Sequence, residues 1–255
     1  MKRAIIVGAS SGIGYRVAAR LINRGWQVGV AARRTERLET LRALAPERVS
    51  TTQIDVTHAD ATQALQQLIE RLGGMDLYFH AAGIGKQNHE LVEEIELKTA
   101  ETNATGFMRM VGHAFRYMAA NGGGHIAVIS SIAGTKGLGA APAYSATKAL
   151  QNTYIEALSQ LANAKKLNIR FTDLRPGFVD TDLLRDGNKY PLLLKPDAVA
   201  DDIVRAIDRR RAVVVIDWRW RIITWAWRHL IPHSLWRHLS PGVVISPAPK
   251  KTPNS

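Results

Sequence analysis

Short apolar segments rich in β-branched residues alternate along the chain with longer stretches in which apolar positions recur at helical spacing. This alternation is typical of βαβ units, because parallel strands need long crossovers that helices supply. We therefore predict a doubly wound α/β fold with a mostly parallel, seven-stranded sheet. The predicted strands are residues 4–8, 26–32, 49–54, 75–81, 125–130, 168–174 and 212–216, and the predicted helices are residues 12–24, 35–44, 60–72, 99–120, 142–163 and 197–208.

A single domain over residues 1–217 accounts for all of these elements. Within it, residues 180–196 contain a glycine and two prolines that break the periodicity, so we predict an insertion that serves as a substrate lid. Residues 218–240 are rich in Trp and Arg and are predicted to form an amphipathic tail helix. The last segment, residues 241–255, combines prolines with polar residues and is predicted to be disordered.

Composition narrows the possible partners. The chain has no cysteine, which excludes disulfides and thiolate metal sites, and we predict no metal centre. The net charge is +12, but residues 218–255 hold six of the 34 basic residues and no acid, so half of the excess lies in the tail. The body is only mildly basic, and we predict no nucleic-acid partner. The chain enters its first strand without a signal-peptide pattern, which predicts a cytoplasmic protein.

A GASSGIG motif occupies residues 8–14, between the first predicted strand and the first helix. Glycines here let the backbone turn sharply and approach a pyrophosphate, whose charge is met by N–H groups at the helix N-terminus. The spacing is G-x-x-x-G-x-G instead of the commoner G-x-G-x-x-G, and alone it also fits an ordinary glycine-rich turn. Its position at the first strand-to-helix junction favours dinucleotide binding.

Tyr144 and Lys148 form a Y-x-x-x-K pair, which places both side chains on one face of a helix. The alternative for such a pair is a solvated surface. Ser131 comes thirteen residues earlier, just after the strand 125–130, where open parallel sheets place their ligand crevice. The position of Ser131 favours a shared site for the three side chains.

The GASSGIG, ISS and YSATK segments, at residues 8–14, 129–131 and 144–148, resemble those of the classical short-chain dehydrogenase/reductase family in order and separation. The resemblance covers about residues 4–216. It implies a Rossmann-type domain and an oxidoreductase that transfers a hydride between a nicotinamide cofactor and a carbonyl or alcohol. It also implies a homodimer or homotetramer, formed through the long helices 99–120 and 142–163.

The resemblance assigns catalytic roles to four residues. Tyr144 gives its phenolic proton to the carbonyl oxygen, while Lys148 lowers the pKa of that phenol and binds the nicotinamide ribose. Ser131 holds the substrate oxygen. Asn103, in the predicted helix 99–120, anchors a water of the proton relay; the alternative for Asn103 is a residue on the helix surface.

The end of the second strand indicates the cofactor. Relatives that prefer NAD usually carry an acid where this chain has Ala32, and Arg33 and Arg34 follow. NADP(H) is therefore expected over NAD(H), with Arg33 as the main ligand of the 2′-phosphate and Ser10 as a helper. The alternative for the two arginines is a solvated helix N-terminus.

Further cofactor contacts follow from the resemblance. Asp55 and Val56 match an adenine contact, and residues 176–181 match a loop that holds the carboxamide through Thr181. His80 stands where the family usually has Asn, and we expect a structural role for it. The predicted cofactor-binding residues are Gly8, Ser10, Ser11, Gly12, Ile13, Gly14, Arg33, Arg34, Asp55, Val56, Ala82, Gly83, Tyr144, Lys148, Pro176, Gly177, Val179 and Thr181.

The tail allows two interpretations. On a helix, Arg221, Thr224 and Arg228 share one stripe and most tryptophans lie elsewhere, which fits a helix at an anionic membrane surface. The same tryptophans also fit packing against the body or a second subunit. Tails of this kind within the family suggest a bulky or lipid-like carbonyl substrate of the 3-ketosphinganine type. The rival functions are a non-catalytic NADP-binding regulator and a membrane-surface interaction protein.

Overall fold

The protein, described here as a computed structural model covering residues 1–184 and 190–239, is built on one seven-stranded sheet. Its strands are β1 (Arg3–Val7), β2 (Gln27–Ala32), β3 (Val49–Gln53), β4 (Leu77–His80), β5 (Gly124–Ile129), β6 (Ile169–Arg175) and β7 (Val213–Val215). Their order is β3-β2-β1-β4-β5-β6-β7, and every neighbouring pair is parallel. The predicted doubly wound sheet is confirmed.

Helices cover both faces of this sheet. They are α1 (Gly12–Asn23), α2 (Glu36–Arg42), α3 (Ala61–Arg71), α4 (Glu93–Ala100), α5 (Phe107–Ala120), α6 (Pro142–Ala164), α7 (Pro196–Asp208), α8 (Trp218–His229) and α9 (His233–Trp236). In β1, Ile6 packs with α1 and α7 on one face, whereas Ile5 and Val7 pack with α3 and α5 on the other. Two apolar layers therefore enclose the sheet, as a parallel sheet requires.

The strand order reverses between β1 and β4, because the chain adds β2 and β3 on one side of β1 and the later strands on the other. At such a switch point the loops after the two central strands diverge and leave a crevice at their carboxyl ends. The glycine motif follows β1 and residues 81–87 follow β4. The fold thus brings these two segments together at one edge of the sheet.

The predicted helix 99–120 differs from the structure in two respects. The helical stretch begins at Glu93, since acidic residues in its first turn complement the helix dipole. It is also interrupted by a π-helical turn, Glu101–Gly106, between α4 and α5. Asn103 lies inside that turn, and π-turns are frequent at functional sites.

The tail is not the single helix over residues 218–240 that the sequence predicts. Helix α8 ends at His229, Pro232 precedes the short α9, and residue 240 lies outside the described part, as does the predicted disordered end 241–255. Proline cannot continue the helical hydrogen-bond ladder. Lys136 Nζ also donates to the carbonyl oxygens of Trp227 and Ile231 near the end of α8, and thereby ties the tail to the body.

One face of the tail packs on the domain. Trp227 Nε1 donates to Thr135 Oγ1 at 2.8 Å, and Trp236 Nε1 donates to the carbonyl of Gly137 at 2.7 Å. Thr224 is buried and donates to the carbonyl of Trp220, so its predicted place on an outer polar stripe with Arg221 and Arg228 is wrong. The buried tail residues are Trp220, Thr224, Trp227 and Trp236, and the exposed apolar ones are Trp218, Ile222, Trp225, Leu230, Leu235 and Leu239.

The predicted lid is described only at its two ends, since residues 185–189 lie outside the described part. Phe178 packs against Tyr190, with 4.8 Å between ring centroids, and against Trp220 at 5.5 Å. The main chain joins Val179 to Leu194 in an isolated parallel bridge. Over residues 1–184 and 190–239, no helix combines the length and the apolar character needed to cross a membrane.

Candidate active site

A cavity of about 440 Å³ opens at the carboxyl ends of the strands, beside the switch point. Every residue predicted to bind the cofactor lines it, and so do the predicted catalytic residues Ser131, Tyr144 and Lys148. Asn103 is the exception, because it lies behind the cavity wall with no exposed surface. Residues far apart in the sequence therefore meet in one place.

The glycine motif shapes the floor of the cavity. Gly8 has a φ of 93°, and a Cβ on it would lie 2.4 Å from the Ala82 nitrogen. A Cβ on Gly14 would lie 2.2 Å from the Gly8 carbonyl oxygen. Only glycine fits either position, because other residues disfavour the first conformation and would clash at both. The first turn of α1 thus reaches the cavity with its N–H groups close to any bound anion.

Two arginines border the cavity at the end of β2. Arg34 Nη2 donates to Ser11 Oγ at 3.1 Å and to Ser10 Oγ at 3.4 Å, so its guanidinium lies over the glycine motif. Arg33 is exposed and also lines the cavity, whereas Ala32 is buried. The structure therefore places both cations at this end of the cavity.

Asp55 follows β3 on the same side. Its Oδ1 accepts hydrogen bonds from the Thr57 nitrogen at 3.0 Å and from Thr57 Oγ1 at 2.8 Å. Burial opposes the charged carboxylate, but these bonds and the nearby Arg33 together lower the pKa of Asp55. Val56, next to it, is buried against Gly106. The carboxylate is thereby fixed in a charged form at the cavity edge.

Tyr144 and Ser131 both line the cavity and lie next to each other. Burial raises the pKa of the Tyr144 phenol, and its hydrogen bond with Ser131 lowers that pKa by a smaller amount. Ser131 Oγ also accepts from the Ala133 nitrogen at 3.1 Å, which fixes its position. The sequence predicts that Lys148 lowers the pKa of Tyr144. In the described structure, that pKa is shifted by burial and by Ser131 instead.

Lys148 lies one helical turn after Tyr144 on α6, with Nζ 5.7 Å from the centroid of the phenol ring. Its Nζ donates to the carbonyl of Ile129 at 3.0 Å and to Gln151 Oε1 at 2.9 Å. Burial lowers the pKa of Lys148 to about 8, although the charge of Asp173 opposes the shift. Two N–H groups of the ammonium are thus bound by protein acceptors.

Asn103 fixes the loop after β4. Its Oδ1 accepts from the Ile84 nitrogen at 2.9 Å, and its Nδ2 donates to the Ile84 carbonyl at 2.7 Å and to Thr147 Oγ1 at 3.3 Å. Gly83, beside Ile84, fits closely between the Asn103 amide and Lys148 Nζ. Asn103 is therefore fully buried, and its alternative as a helix-surface residue is excluded.

His80 is fully buried at the end of β4. Its Nδ1 is 2.9 Å from Tyr78 Oη, and its ring packs edge-on to Phe107 with 5.1 Å between centroids. Burial, with a contribution from the charge of Lys148, lowers the pKa of His80 from 6.5 to about 3. The ring is neutral at ordinary pH and packs within the core, in agreement with the structural role expected for it.

Several residues of the site carry no signal in the sequence motifs. Gly85 lies against the Tyr144 ring, where a Cβ would approach within 2.7 Å of Cδ2. Gln87 Nε2 donates to Tyr190 Oη at 3.1 Å across the mouth of the cavity. Trp220 packs closely on Gly177, because a Cβ added to Gly177 would lie 2.2 Å from Trp220 Nε1. Trp220 thus supports the loop that is predicted to bind the carboxamide. Their partners are distant in sequence.

A sequence model of the family described as short chain dehydrogenase matches residues 2–190. The chain belongs to the short-chain dehydrogenase family. The resemblance seen in the motifs is therefore confirmed, and this short-chain dehydrogenase is an enzyme of the oxidoreductase class that acts on carbonyl or alcohol groups.

Two curated relatives align with this short-chain dehydrogenase over most of their own length and most of its length. An uncharacterised oxidoreductase of Myxococcus xanthus is 33% identical over 224 residues, covering 85% of this chain and 88% of the relative. An uncharacterised oxidoreductase of Listeria monocytogenes is 33% identical over 232 residues, covering 84% and 93%.

Solved structures show the same fold. An actinorhodin polyketide ketoreductase determined with NADPH is 25% identical, with a TM-score of 0.74 over 84% of this chain and 95% of the other. A short-chain dehydrogenase from Sphingobium yanoikuyae, also determined with NADPH, is 24% identical, with a TM-score of 0.77 over 89% and 93%. The second likeness concerns the fold alone.

The buried neutral His80 predicts an acid-sensitive stability. Its folded pKa of about 3 lies below the 6.5 of an exposed histidine, so from pH 6.5 downwards only the unfolded chain gains the proton. The contribution of the neutral His80 to the free energy of unfolding is complete above pH 6.5 and is lost as the pH falls towards 3. Between pH 6.5 and 5, the free energy of unfolding should fall by about 1.5 kcal/mol more in the wild type than in His80→Asn.

Urea unfolding at several pH values measures this difference. Above pH 7.5 the two proteins should show parallel pH dependence, because the histidine is neutral in both states there. Equal slopes between pH 6.5 and 5 would mean that His80 is not held neutral by its surroundings.

Proposed function

We propose that this short-chain dehydrogenase transfers a hydride between NADP(H) and a bulky or lipid-like carbonyl or alcohol, with Tyr144 as the acid/base. The observation that supports this most is the convergence of Ser131, Tyr144 and Lys148 on a cavity that the glycine motif also lines. A non-catalytic NADP-binding regulator is less well supported, because cofactor binding alone does not require a phenol, a hydroxyl and an ammonium at one point.

The residues present fit a dinucleotide. Gly8 and Gly14 form a cradle that a Cβ would fill, at the N-terminus of α1 where a pyrophosphate is favoured. When bound, the nicotinamide supplies or accepts the hydride. Asp55 and Val56 would hold the adenine, and the loop 176–181 would hold the carboxamide through Thr181. These assignments follow the family resemblance and the lining of one cavity.

The protein's own groups handle the proton. In the direction of reduction, Tyr144 Oη donates its proton to the carbonyl oxygen as charge develops there. Ser131 Oγ holds the same oxygen and stabilises that charge. Lys148 offers an N–H to the ribose of the bound cofactor, and two protein acceptors hold its ammonium in place for this contact. Asn103 supports this centre by fixing the loop after β4.

The preference for NADP(H) is supported by the two arginines at the end of β2. The guanidinium of Arg34 lies at Ser10 and Ser11, and Arg33 borders the same space. Ala32 offers no carboxylate to bind the ribose hydroxyls. A 2′-phosphate would meet two cations there, and guanidinium pairs with phosphate through two parallel hydrogen bonds. Both arginines, instead of Arg33 alone, are proposed as its ligands.

The lining of the cavity supports a bulky carbonyl compound. Much of it is apolar, and both described ends of the predicted lid contribute residues to it. The apolar and aromatic lining residues outside the glycine motif and the strand ends include Leu138, Ala140, Ala141, Phe178, Leu183, Leu184 and Tyr190. Small-molecule substrates and oligomers are usual in the family, and a homodimer or homotetramer through α5 and α6 remains a prediction for this chain.

Replacement of Tyr144 by Phe tests the mechanism. The substitution removes the proton donor and keeps the ring, so we expect turnover to fall by about 100-fold or more, the usual scale for loss of a general acid. Binding of NADPH, measured by fluorescence, should be retained. Near-normal turnover in Tyr144→Phe would assign the proton to another group.

Single replacements of the two arginines test cofactor choice. We expect Arg33→Ala and Arg34→Ala each to weaken NADPH binding by about 1.5–3 kcal/mol, the range for a hydrogen bond to a charged group. Binding of NADH should change little, because it lacks the 2′-phosphate. Calorimetry with both cofactors measures this. A wild type that prefers NADH would overturn the assignment.

A second function, binding to an anionic membrane surface, is favoured by the outer face of α8. Trp218, Ile222 and Trp225 recur at i, i+4 and i+7, so they form one stripe, and each is more than half exposed. Exposed Arg221 and Arg228 lie beside this stripe. Tryptophans at headgroup depth with arginines facing anionic lipid are typical of an interfacial helix.

Packing on the domain and binding to a membrane surface are thus compatible, because they use opposite faces of α8. The buried tryptophans pack on the domain, which leaves the outer stripe available for lipid. Removing residues 218–255 would disturb both faces at once, so a truncation does not separate them. Single substitutions on each face do.

Trp225 and Trp227 form a matched pair for this test. We expect Trp225→Ala to weaken co-sedimentation with phosphatidylglycerol vesicles and to leave the melting temperature unchanged, since 56% of the side chain is exposed. Trp227→Ala should lower the free energy of unfolding by about 3–5 kcal/mol, because its side chain is buried. A wild type that ignores these vesicles at low salt would refute membrane binding.

A further inference from the structure

The side chain of Gln151 joins Lys148 to the segment that carries Asn103. Gln151 follows Lys148 by three residues on α6 and is fully buried. Its Oε1 accepts from Lys148 Nζ at 2.9 Å, and its Nε2 donates to the main-chain carbonyl of Asn103 at 2.8 Å. The amide therefore uses both of its ends to connect two parts of the candidate active site.

The bridge determines how the ammonium of Lys148 is oriented. An ammonium has three N–H donors, and two of them are directed at the Ile129 carbonyl and at Gln151 Oε1. One N–H is left for a ligand in the cavity that Lys148 lines. Since two fixed acceptors set the orientation of the ammonium, they also set the direction of its third N–H.

The chemistry of the partners fixes the orientation of the amide. Lys148 is only a donor and the Asn103 carbonyl is only an acceptor, so Oε1 must face the first and Nε2 the second. The side chain of Asn103 is committed to Ile84 and Thr147, which leaves its main-chain carbonyl for Gln151. An amide neither gains nor loses a proton at working pH, so the bridge holds Lys148 in place and is not a proton relay.

We propose that Gln151 is a positioning residue that fixes the ammonium of Lys148 and favours its charged form. The role in turnover rests on the function proposed above for Lys148. A loss of the acceptor at position 151 leaves the buried charge less well solvated, whereas a carboxylate there would stabilise it further.

Other charged and titratable groups around Lys148 also influence its protonation. Asp173 of β6 favours the ammonium, and it is itself paired with Arg175 at 2.7 Å. His80 of β4 is neutral, with a pKa of about 3, and Tyr144 lies one turn earlier on α6. Burial lowers the pKa of Lys148 to about 8, so Lys148 titrates close to working pH and a change at position 151 is measurable.

The test is an NMR titration of the lysine ¹³Cε signals in the full-length chain. Lys148 should be identified by its low pKa and by the loss of its signal in Lys148→Arg. We expect Gln151→Glu to raise the pKa of Lys148 by about one unit or more, and Gln151→Met, of similar length, to lower it. A merely structural role would not move the pKa in opposite directions.

Asn152→Leu is the matched control, because Asn152 is a buried amide at the next position of α6 and is not part of the bridge. It should leave the Lys148 titration unchanged. If Gln151→Met does not fold, Gln151→Asn replaces it, since the shorter amide cannot span both partners and should also lower the pKa. Shifts in the same direction, or none in Gln151→Glu, would overturn the proposal.

This titration needs no substrate. An enzyme that fails to oxidise NADPH with any carbonyl would refute the proposed function and leave opposite shifts as support for the bridge. Carbonyl reduction by the wild type, combined with an unmoved titration in Gln151→Glu, would overturn the bridge alone.

Discussion

The close approach of the β1–α1 turn to the loop after β4 is the constraint on which the site depends. Gly8 lies so near the Ala82 main chain that a Cβ would approach the Ala82 nitrogen within 2.4 Å, and Gly14 closes on Gly8 in turn. This contact exists because the strand order reverses between β1 and β4. It brings the N-terminus of α1, the loop after β4, and Tyr144 and Lys148 of α6 into one cavity.

A second layer of contacts supports this cavity from behind. Asn103, Gln151 and Lys148 form a buried chain of hydrogen bonds that runs from the π-helical turn to the centre of the site. On the other side, Trp220 packs on Gly177, and Lys136 connects the segment after Ser131 to the end of α8. The tail therefore supports the cavity from behind through Trp220, although it lies beyond the part of the chain that the family model matches.

The sequence predicts the elements and motifs that depend on local spacing. The strands follow from short apolar runs, and the glycine motif and the Tyr144–Lys148 pair follow from fixed intervals on one turn and one helix. It does not predict contacts between distant segments. Gln151 reaches a carbonyl 48 residues away, and Trp227 reaches Thr135 across 92 residues. Helical spacing places Thr224 on an outer polar stripe, and only the packing of α8 on the domain shows that it is buried.

We propose a direct hydride transfer from NADPH to the carbonyl carbon of a substrate bound at Tyr144. The most direct measurement uses NADPH with deuterium at the transferable C4 position and a series of ketones of increasing chain length, with mass spectrometry of the alcohol product. We expect one deuterium on the carbinol carbon with the wild type and loss of product with Tyr144→Phe. Oxidation of NADPH that leaves the ketones unreduced, or product without deuterium, would contradict it.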